Sequence, residues 1–245
     1  MTNHPPFIKV ISLSSRHVIS DLHLFSKRSR GDELLKTYLE NIDTPTTLVF
    51  NGDTFDFRWT ELAGEEETLA AAEAWLLDLL DRLPNTQIHY ILGNHDCLNT
   101  FRSRLENHAR KRPNFHLHEF WLRIDTHFFL HGDCSNRGMN ISKLKKYRHS
   151  WSTDSPRGEF SKRLYHLVDR TGIGALFHRL YFRQNPTVAR VIRYVREVAP
   201  DAFKETEHIY FGHTHVPFHD HKSGEIVLHN TGSAIAGMGF SPKQF

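Results

Sequence analysis

Five separated clusters carry residue types that can hold divalent metal ions. They read Ser20-Asp21-Leu22-His23, Asn51-Gly52-Asp53, Gly93-Asn94-His95-Asp96, His131-Gly132-Asp133 and Gly212-His213-Thr214-His215. Two divalent ions about 3.5–4 Å apart can clamp the attacking and leaving oxygens of a phosphoryl displacement. Such a pair needs carboxylate, carboxamide and imidazole donors and one carboxylate able to bridge. Asp21, His23, Asp53, Asn94, His131, His213 and His215 supply that set. Imidazole suits zinc and iron, whereas carboxylate, carbonyl and water suit magnesium and manganese. The mixture therefore favours manganese, with iron or zinc accepting the same ligands, over bare magnesium. Cys97 and Cys134 lie close behind the clusters, but neither has a CxxC partner. A structural zinc site is unsupported.

The elements that position these clusters are legible as short apolar runs just before them: His17-Val18-Ile19, Thr47-Leu48-Val49-Phe50, His89-Tyr90-Ile91-Leu92, Phe128-Phe129-Leu130 and Ile209-Tyr210-Phe211. Runs rich in β-branched and aromatic residues read as buried strands. The polar clusters then fall on loops at the strand tips, where open α/β sheets bind ligands. Apolar residues at helical spacing predict helices over 32–42, 65–83, 100–112 and 187–198, with Pro84 and Pro113 stopping the second and third. Residues 115–117, 120–124 and 127–130 read as consecutive strands, with Asp125-Thr126 as a tight turn. Ile226-Val227-Leu228 is expected to pair with Ile209-Tyr210-Phe211 through a loop at 219–224. Residues 237–245 look too short and glycine-containing for a full strand. Alternating βα units followed by hairpins imply an α/β sandwich.

A chain of 245 residues is long enough for one large core. Its 39% hydrophobic and 24% charged content is that of a globular protein. No apolar run approaches the roughly 20 residues that span a bilayer. Two cysteines without a clear partner fit a reducing compartment. The expected location is cytoplasmic, peripheral to the inner membrane.

Any one of the 19 histidines alone would be read as a surface or core residue, and GD or GNH alone as a turn. Five ordered motifs are a different matter. DLH, GD, GNHD, HGD and GHTH, in this order from about Val18 to Ser233, resemble the calcineurin-like metallophosphoesterase family. The resemblance implies a four-layer α/β/β/α sandwich with two mixed β-sheets. It also implies that Asp21, His23 and His215 bind one metal and Asn94, His131 and His213 the other, with Asp53 bridging. The family's nucleophile is a metal-bound hydroxide. His95 takes the place of the histidine that protonates the leaving alkoxide, with Asp96 behind it. An imidazole suits that acid role near neutral pH, and a neighbouring carboxylate can orient it. Asp56 and Asp133 are expected as supporting or turn residues. His127, His208, His219, His221 and His229 are expected in surface or structural roles.

Residues 137–199 form a second unit, inserted into a core made of 1–136 and 200–245. From 137 to 196 there are fourteen Lys or Arg against three acidic residues, a net of +11 that leaves −8 for the rest of the chain. Eight aromatics accompany them: Tyr147, Trp151, Phe160, Tyr165, Phe177, Tyr181, Phe182 and Tyr194. A field of one sign beside a site attracts oppositely charged substrate. A helical cap over the metals is the expectation, with Tyr147, Arg148, Trp151, Phe182 and Arg183 binding substrate. Basic and aromatic surface together suits an anionic or lipid-linked small molecule, an anionic membrane or single-stranded nucleic acid.

By this insertion the chain most resembles the UDP-2,3-diacylglucosamine hydrolases, which cleave a pyrophosphate. It departs from them in having His95 where they usually carry Arg, and Cys134-Ser135-Asn136-Arg137 where acidic residues usually follow HGD. A nuclease or protein phosphatase would share the metal site. The GDTFDFR and GNHD of this chain depart from the GDxVDRG and GNHE of the protein phosphatases. A scaffold or RNA-binding relative without catalysis would be expected to have lost ligands, and here all seven are present.

Overall fold

The computed structural model describes residues 15–158, 161 and 180–245. Phe160, Tyr165 and Phe177 of the expected cap lie outside them. Two five-stranded sheets carry the architecture. The first has the order β10-β1-β2-β3-β4, with β1 (Arg16–Ile19), β2 (Thr47–Asn51), β3 (Gln87–Ile91) and β4 (Phe115–His118) parallel and β10 (Lys243–Gln244) antiparallel at the edge. The second runs β5 (Trp121–Ile124), β6 (His127–Leu130), β7 (His208–Phe211), β9 (Ile226–Asn230) and β8 (Phe218–Ser223). Its centre, β6-β7-β9, is parallel, and its two edges are antiparallel.

Side-chain alternation sorts each strand between two layers. Val18, Val49 and Ile91 of the first sheet meet Phe129 and Tyr210 of the second, closing the core between the sheets. The opposite face of the first sheet, including Ile19, Phe50, Ile88 and Tyr90, packs on α1 (Gly31–Glu40), α2 (Glu65–Arg82) and α3 (Asn99–Lys111). Helix α2 buries Leu69, Ala72, Leu76, Leu79 and Leu80, the stripe expected of a 3.6-residue period. The outer face of the second sheet packs on α4 (Ile141–Ser152) and α5 (Gln184–Val198), whose Val188, Val191, Tyr194 and Val195 cover Phe128, Ile209, Phe211 and Leu228. A short α6 (Pro200–Lys204) leads back into β7. The result is the four-layer sandwich implied by the resemblance. No described helix is long and apolar enough to cross a membrane.

Two expectations are corrected. Residues 219–224 are not simply a loop: Phe218–Ser223 is a strand antiparallel to β9, while β7 and β9 pair in parallel. Its alternation of His219, Asp220, His221 and Lys222 is that of a charged, bulged edge strand, which resists pairing with other chains. The C-terminal residues, though few, do reach the first sheet. Lys243 and Gln244 pair with Val18 and His17, and Phe245 stacks 4.7 Å from Phe129 in the core between the sheets. Asp125, with φ of 52°, makes the expected two-residue turn between β5 and β6.

Candidate metal centre

The C-terminal tips of β1, β2, β3, β6 and β7 open onto one place. Parallel strands put all their loops at the same end, and the two sheets meet there. Asp21 N–H donates to the Gly52 carbonyl at 3.0 Å, and Gly212 N–H to the His131 carbonyl at 2.8 Å. The His95 amide donates to Asp53 Oδ1 at 2.8 Å, and the His213 amide to the Asp21 carboxylate at 3.0 Å. Asp21, His23, Asp53, His213 and His215 all have positive φ, between 49° and 64°. Outside glycine, each such residue costs on the order of 1–3 kcal/mol, strain that clusters at functional sites. Five of the seven expected ligands carry it.

Two glycines make room for the carboxylates. A Cβ at Gly93 would stand 2.1 Å from Asp53 Oδ1, and one at Gly212 would stand 1.9 Å from Asp21 Oδ2.

The donor atoms fall into two groups. Asp21 Oδ1 lies 3.2 Å from His215 Nε2 and 3.7 Å from His23 Nε2. Asp53 Oδ2 lies 3.2 Å from His131 Nε2, which is 3.3 Å from Asn94 Oδ1 and 3.2 Å from His213 Nδ1. The same Asp53 oxygen is 3.8 Å from His23 Nε2, so one carboxylate reaches both groups. Three of the imidazoles are turned by their other nitrogen. His23 Nδ1–H donates to Asp56, His131 Nδ1–H to the Asn51 carbonyl, and His213 Nε2–H to Asn136 Oδ1 at 2.8 Å. The inward nitrogens are then lone-pair donors, the arrangement that metal-binding histidines adopt.

Protons compete with a cation for these lone pairs. Burial alone would raise the Asp21 and Asp53 carboxyls, but the surrounding imidazoles hold both below the usual carboxylate range. Burial likewise opposes charge on His131, yet Asp53 pushes it up to about 9. Burial and the neighbouring His131 push His213 down to about 3. Buried anions here demand compensating positive charge, and the donor set suits divalent ions in that role.

The arrangement around His95 corrects one expectation. Asp96 does not stand behind its ring. Its carboxylate accepts from the Thr54 and Gly93 amides at 2.8 and 2.6 Å and from the Tyr90 hydroxyl at 2.7 Å, pinning the loop. Asp56, three residues beyond Asp53 in sequence, instead accepts from His95 Nδ1 at 3.0 Å and also from His23. Asp56 was visible as a supporting residue, but nothing in the sequence says which histidine it serves. Asn136 was missed, because its position depends on a loop that no periodicity describes.

The expected substrate residues scatter. Trp151 lies with its ring 4.7 Å from that of His95, under the Arg58 guanidinium at 3.6 Å, and Arg58 pairs with Asp154. Phe182 is buried with its ring edge-on to His213 at 5.7 Å. Tyr147 is half-buried, 6.0 Å from Trp151. Arg183 is exposed at the start of α5. Arg148 is turned inward. It is buried and bonded to Asp133 at 2.8 Å and to the Glu119 carbonyl, so its guanidinium fastens α4 to the HGD loop.

The chain matches the sequence model of the calcineurin-like phosphoesterases over residues 17–217. No curated protein matches it by sequence. Among solved structures it is similar to phosphopantetheinyl hydrolase (PptH) from Mycobacterium tuberculosis, at 14% identity and a TM-score of 0.46, over 94% of this chain and 95% of that one. It is also similar to Yfce, a phosphoesterase from E. coli, at 15% identity and a TM-score of 0.42, over 91% and 82%. The family match spans all five motifs, and the chain therefore belongs to the calcineurin-like phosphoesterase family, as a metal-dependent hydrolase of phosphoesters.

Proposed function

We propose that this enzyme cleaves a phosphodiester or pyrophosphate bond in an anionic, amphiphilic small molecule. A nucleotide-linked lipid such as UDP-2,3-diacylglucosamine is the specific candidate. The observation that carries the reading is the pair of insertion aromatics at the two ends of the donor cluster, Trp151 against His95 and Phe182 against His213. They offer apolar surface beside a site built for phosphate. Exposed Leu180 and Tyr181 continue that surface, which would also bring the chain to an anionic membrane face in the cytoplasm.

In this reading Asp21, His23, Asp53 and His215 hold one divalent ion, and Asp53, Asn94, His131 and His213 the other, with manganese the preferred metal. Bound ions supply charge compensation for the phosphoryl oxygens and an activated water. The protein supplies the rest. Asp56 accepts from Nδ1 of His95 and holds the ring in place, so that the imidazolium form would carry its second proton on Nε2 and hand that proton to the leaving oxygen. Trp151 covers one side of that imidazole and limits its access to water.

The test is a hydrolysis screen of the Mn²⁺-loaded enzyme with UDP-diacylglucosamine, nucleotide sugars, cyclic nucleotides and oligonucleotides. Turnover of the lipid nucleotide well above that of its deacylated form supports the proposal. Preference for oligonucleotides, with affinity falling steeply as salt rises, would replace it with a nuclease.

A further inference from the structure

The loop after HGD and α4 line an open cavity of about 470 Å³. Its wall includes Arg137, Met139, Lys143, Lys146, Tyr147 and Ser150. Three of these are cations, and no described acidic side chain lines the space. Lys143 and Lys146 stand one helical turn apart on one face of α4, a like-charge spacing that destabilises a helix. Among the described residues neither they nor Arg137 form an ion pair.

The neighbouring cavity around Leu92, Cys97 and Lys145 is different. Its Arg102 is paired with Glu106 and Glu119, and its Arg148 with Asp133. Both guanidiniums are neutralised there and Lys145 lies over the Phe120 ring, whereas here all three cations lack an acidic partner among the described residues.

The open cavity is joined to the catalytic end of the molecule by its own wall. Tyr147 lies beside Asn136, whose side chain accepts from His213 at 2.8 Å. On its other side Tyr147 meets Trp151, which meets His95. Tyr147 is thus the wall residue that separates this space from the second donor group on one path and from the leaving-group histidine on the other. A ligand that places one phosphate on the metals would extend along Tyr147 toward Arg137, Lys143 and Lys146. Those side chains offer multiple N–H donors and no acceptor, the complement of a dianionic oxygen cluster.

We propose that this cavity is a second anion subsite, which binds a further phosphate group of the same substrate, one that is not cleaved. The proposal rests on the metal-centre reading but replaces the lipid-nucleotide candidate, whose only phosphates flank the scissile bond, with a bisphosphate-class substrate.

The experiment uses the full chain loaded with Mn²⁺ and measures binding by calorimetry. The probes are alkanediol bisphosphates of increasing chain length and the alkyl monophosphates that match them. At a preferred length the second phosphate should tighten binding about tenfold, and the gain should shrink with added salt. The double variant Lys143→Glu/Lys146→Glu should abolish the ratio between bisphosphate and monophosphate affinities. The control pair Lys36→Glu/Lys222→Glu, with the same change in net charge on α1 and β8, should leave that ratio intact. Absence of any gain across the series, or a gain that survives reversal at α4, overturns the subsite alone. If the parent binds no monophosphate and leaves bis-p-nitrophenyl phosphate intact, the metal-centre reading falls and the subsite with it.

Discussion

Asp53 is the residue on which the two donor groups converge, since one of its oxygens faces His131 at 3.2 Å and His23 at 3.8 Å. Asp53→Asn is therefore expected to lose metal from both positions and nearly all turnover, whereas His23→Ala should mainly empty one. Metal content by elemental analysis, read beside the rate, checks this; two retained ions and normal turnover in Asp53→Asn would refute the bridge. Asp56 and Asp96 are both buried carboxylates near His95, yet they touch different things and should fail differently. Asp56→Asn should keep the fold and slow hydrolysis by about 10–100-fold, the usual cost of removing a group that orients a functional histidine. The loss should be largest for esters with poor leaving groups, as it should for His95→Ala, where general-acid help of roughly 10²–10⁴-fold disappears. Asp96→Asn should instead lower stability by about 1–3 kcal/mol, because it weakens three buried hydrogen bonds at once. Denaturant unfolding alongside leaving-group dependence separates the two; identical profiles would mean that the two carboxylates are not distinct in role.

At the scale of elements, the site is a property of strand tips held against one another. Gly93 ends the run after β3 and lies against Asp53 of the loop after β2, where a Cβ would come within 2.1 Å of the carboxylate. Gly93→Ala leaves every donor residue in the sequence but should displace Asp53. Lost occupancy at both metal positions and a rate fall of about 10²-fold are expected, the scale on which misplacement by an ångström is felt. Unchanged metal content in a folded Gly93→Ala protein would contradict the close packing of these loops. The end of α4 is tied to the loop after β2 at Arg58, which stacks on Trp151 and pairs with Asp154. Trp151→Ala should raise KM for a substrate with acyl chains more than for bis-p-nitrophenyl phosphate, since only the former needs buried apolar area. Equal effects on both substrates would make Trp151 a support for His95 rather than a substrate contact.

Across the whole molecule, three of the histidines expected in surface or structural roles, His127, His208 and His229, and three others, His89, His116 and His118, form two stacked sets on the inner faces of the sheets. His89 on β3 stacks on His116 and His118 of β4, and His127, His208 and His229 stack across β6, β7 and β9. Burial, then the charge of neighbouring histidines, pushes His89 and His118 down to about 4, and burial with His208 does the same to His127. Burial also pushes His229 down to about 3. Their unfolded value is 6.5. Between that value and 4 the unfolded chain binds more protons than the folded one, so stability rises with pH through this window. Stability should be fully present above about pH 6.5 and lost progressively as pH falls toward 4. Thermal unfolding across that range should show a falling Tm, and His127→Gln or His89→Gln should make the fall shallower. A slope unchanged by these substitutions would assign the acid sensitivity to the carboxylates and the metal cluster.

The chain alone determined the candidate donor residues, the strands that carry them and the family, because each is written locally. Val18-Ile19 before Asp21, or Phe128 to Leu130 before His131, is a buried strand by composition, and the polar residues at its end mark the loop. Helices at 65–82 and 184–198 were legible from one apolar stripe each, with boundaries shifted by at most a few residues. The pairing of β9 with β7 was legible, but most partners across the fold were not. That this pair runs parallel, why the last residues cross back to β1, and that Asp56 rather than Asp96 orients His95 all depend on contacts between distant segments. Arg148 shows the limit well. In sequence it is one more cation in a basic insertion, and only the packing of α4 on the HGD loop brings Asp133 to it and takes it out of solvent. Periodicity reports which face of an element is apolar. It carries no information about what that face meets, and the metal cluster exists only where five strand tips meet.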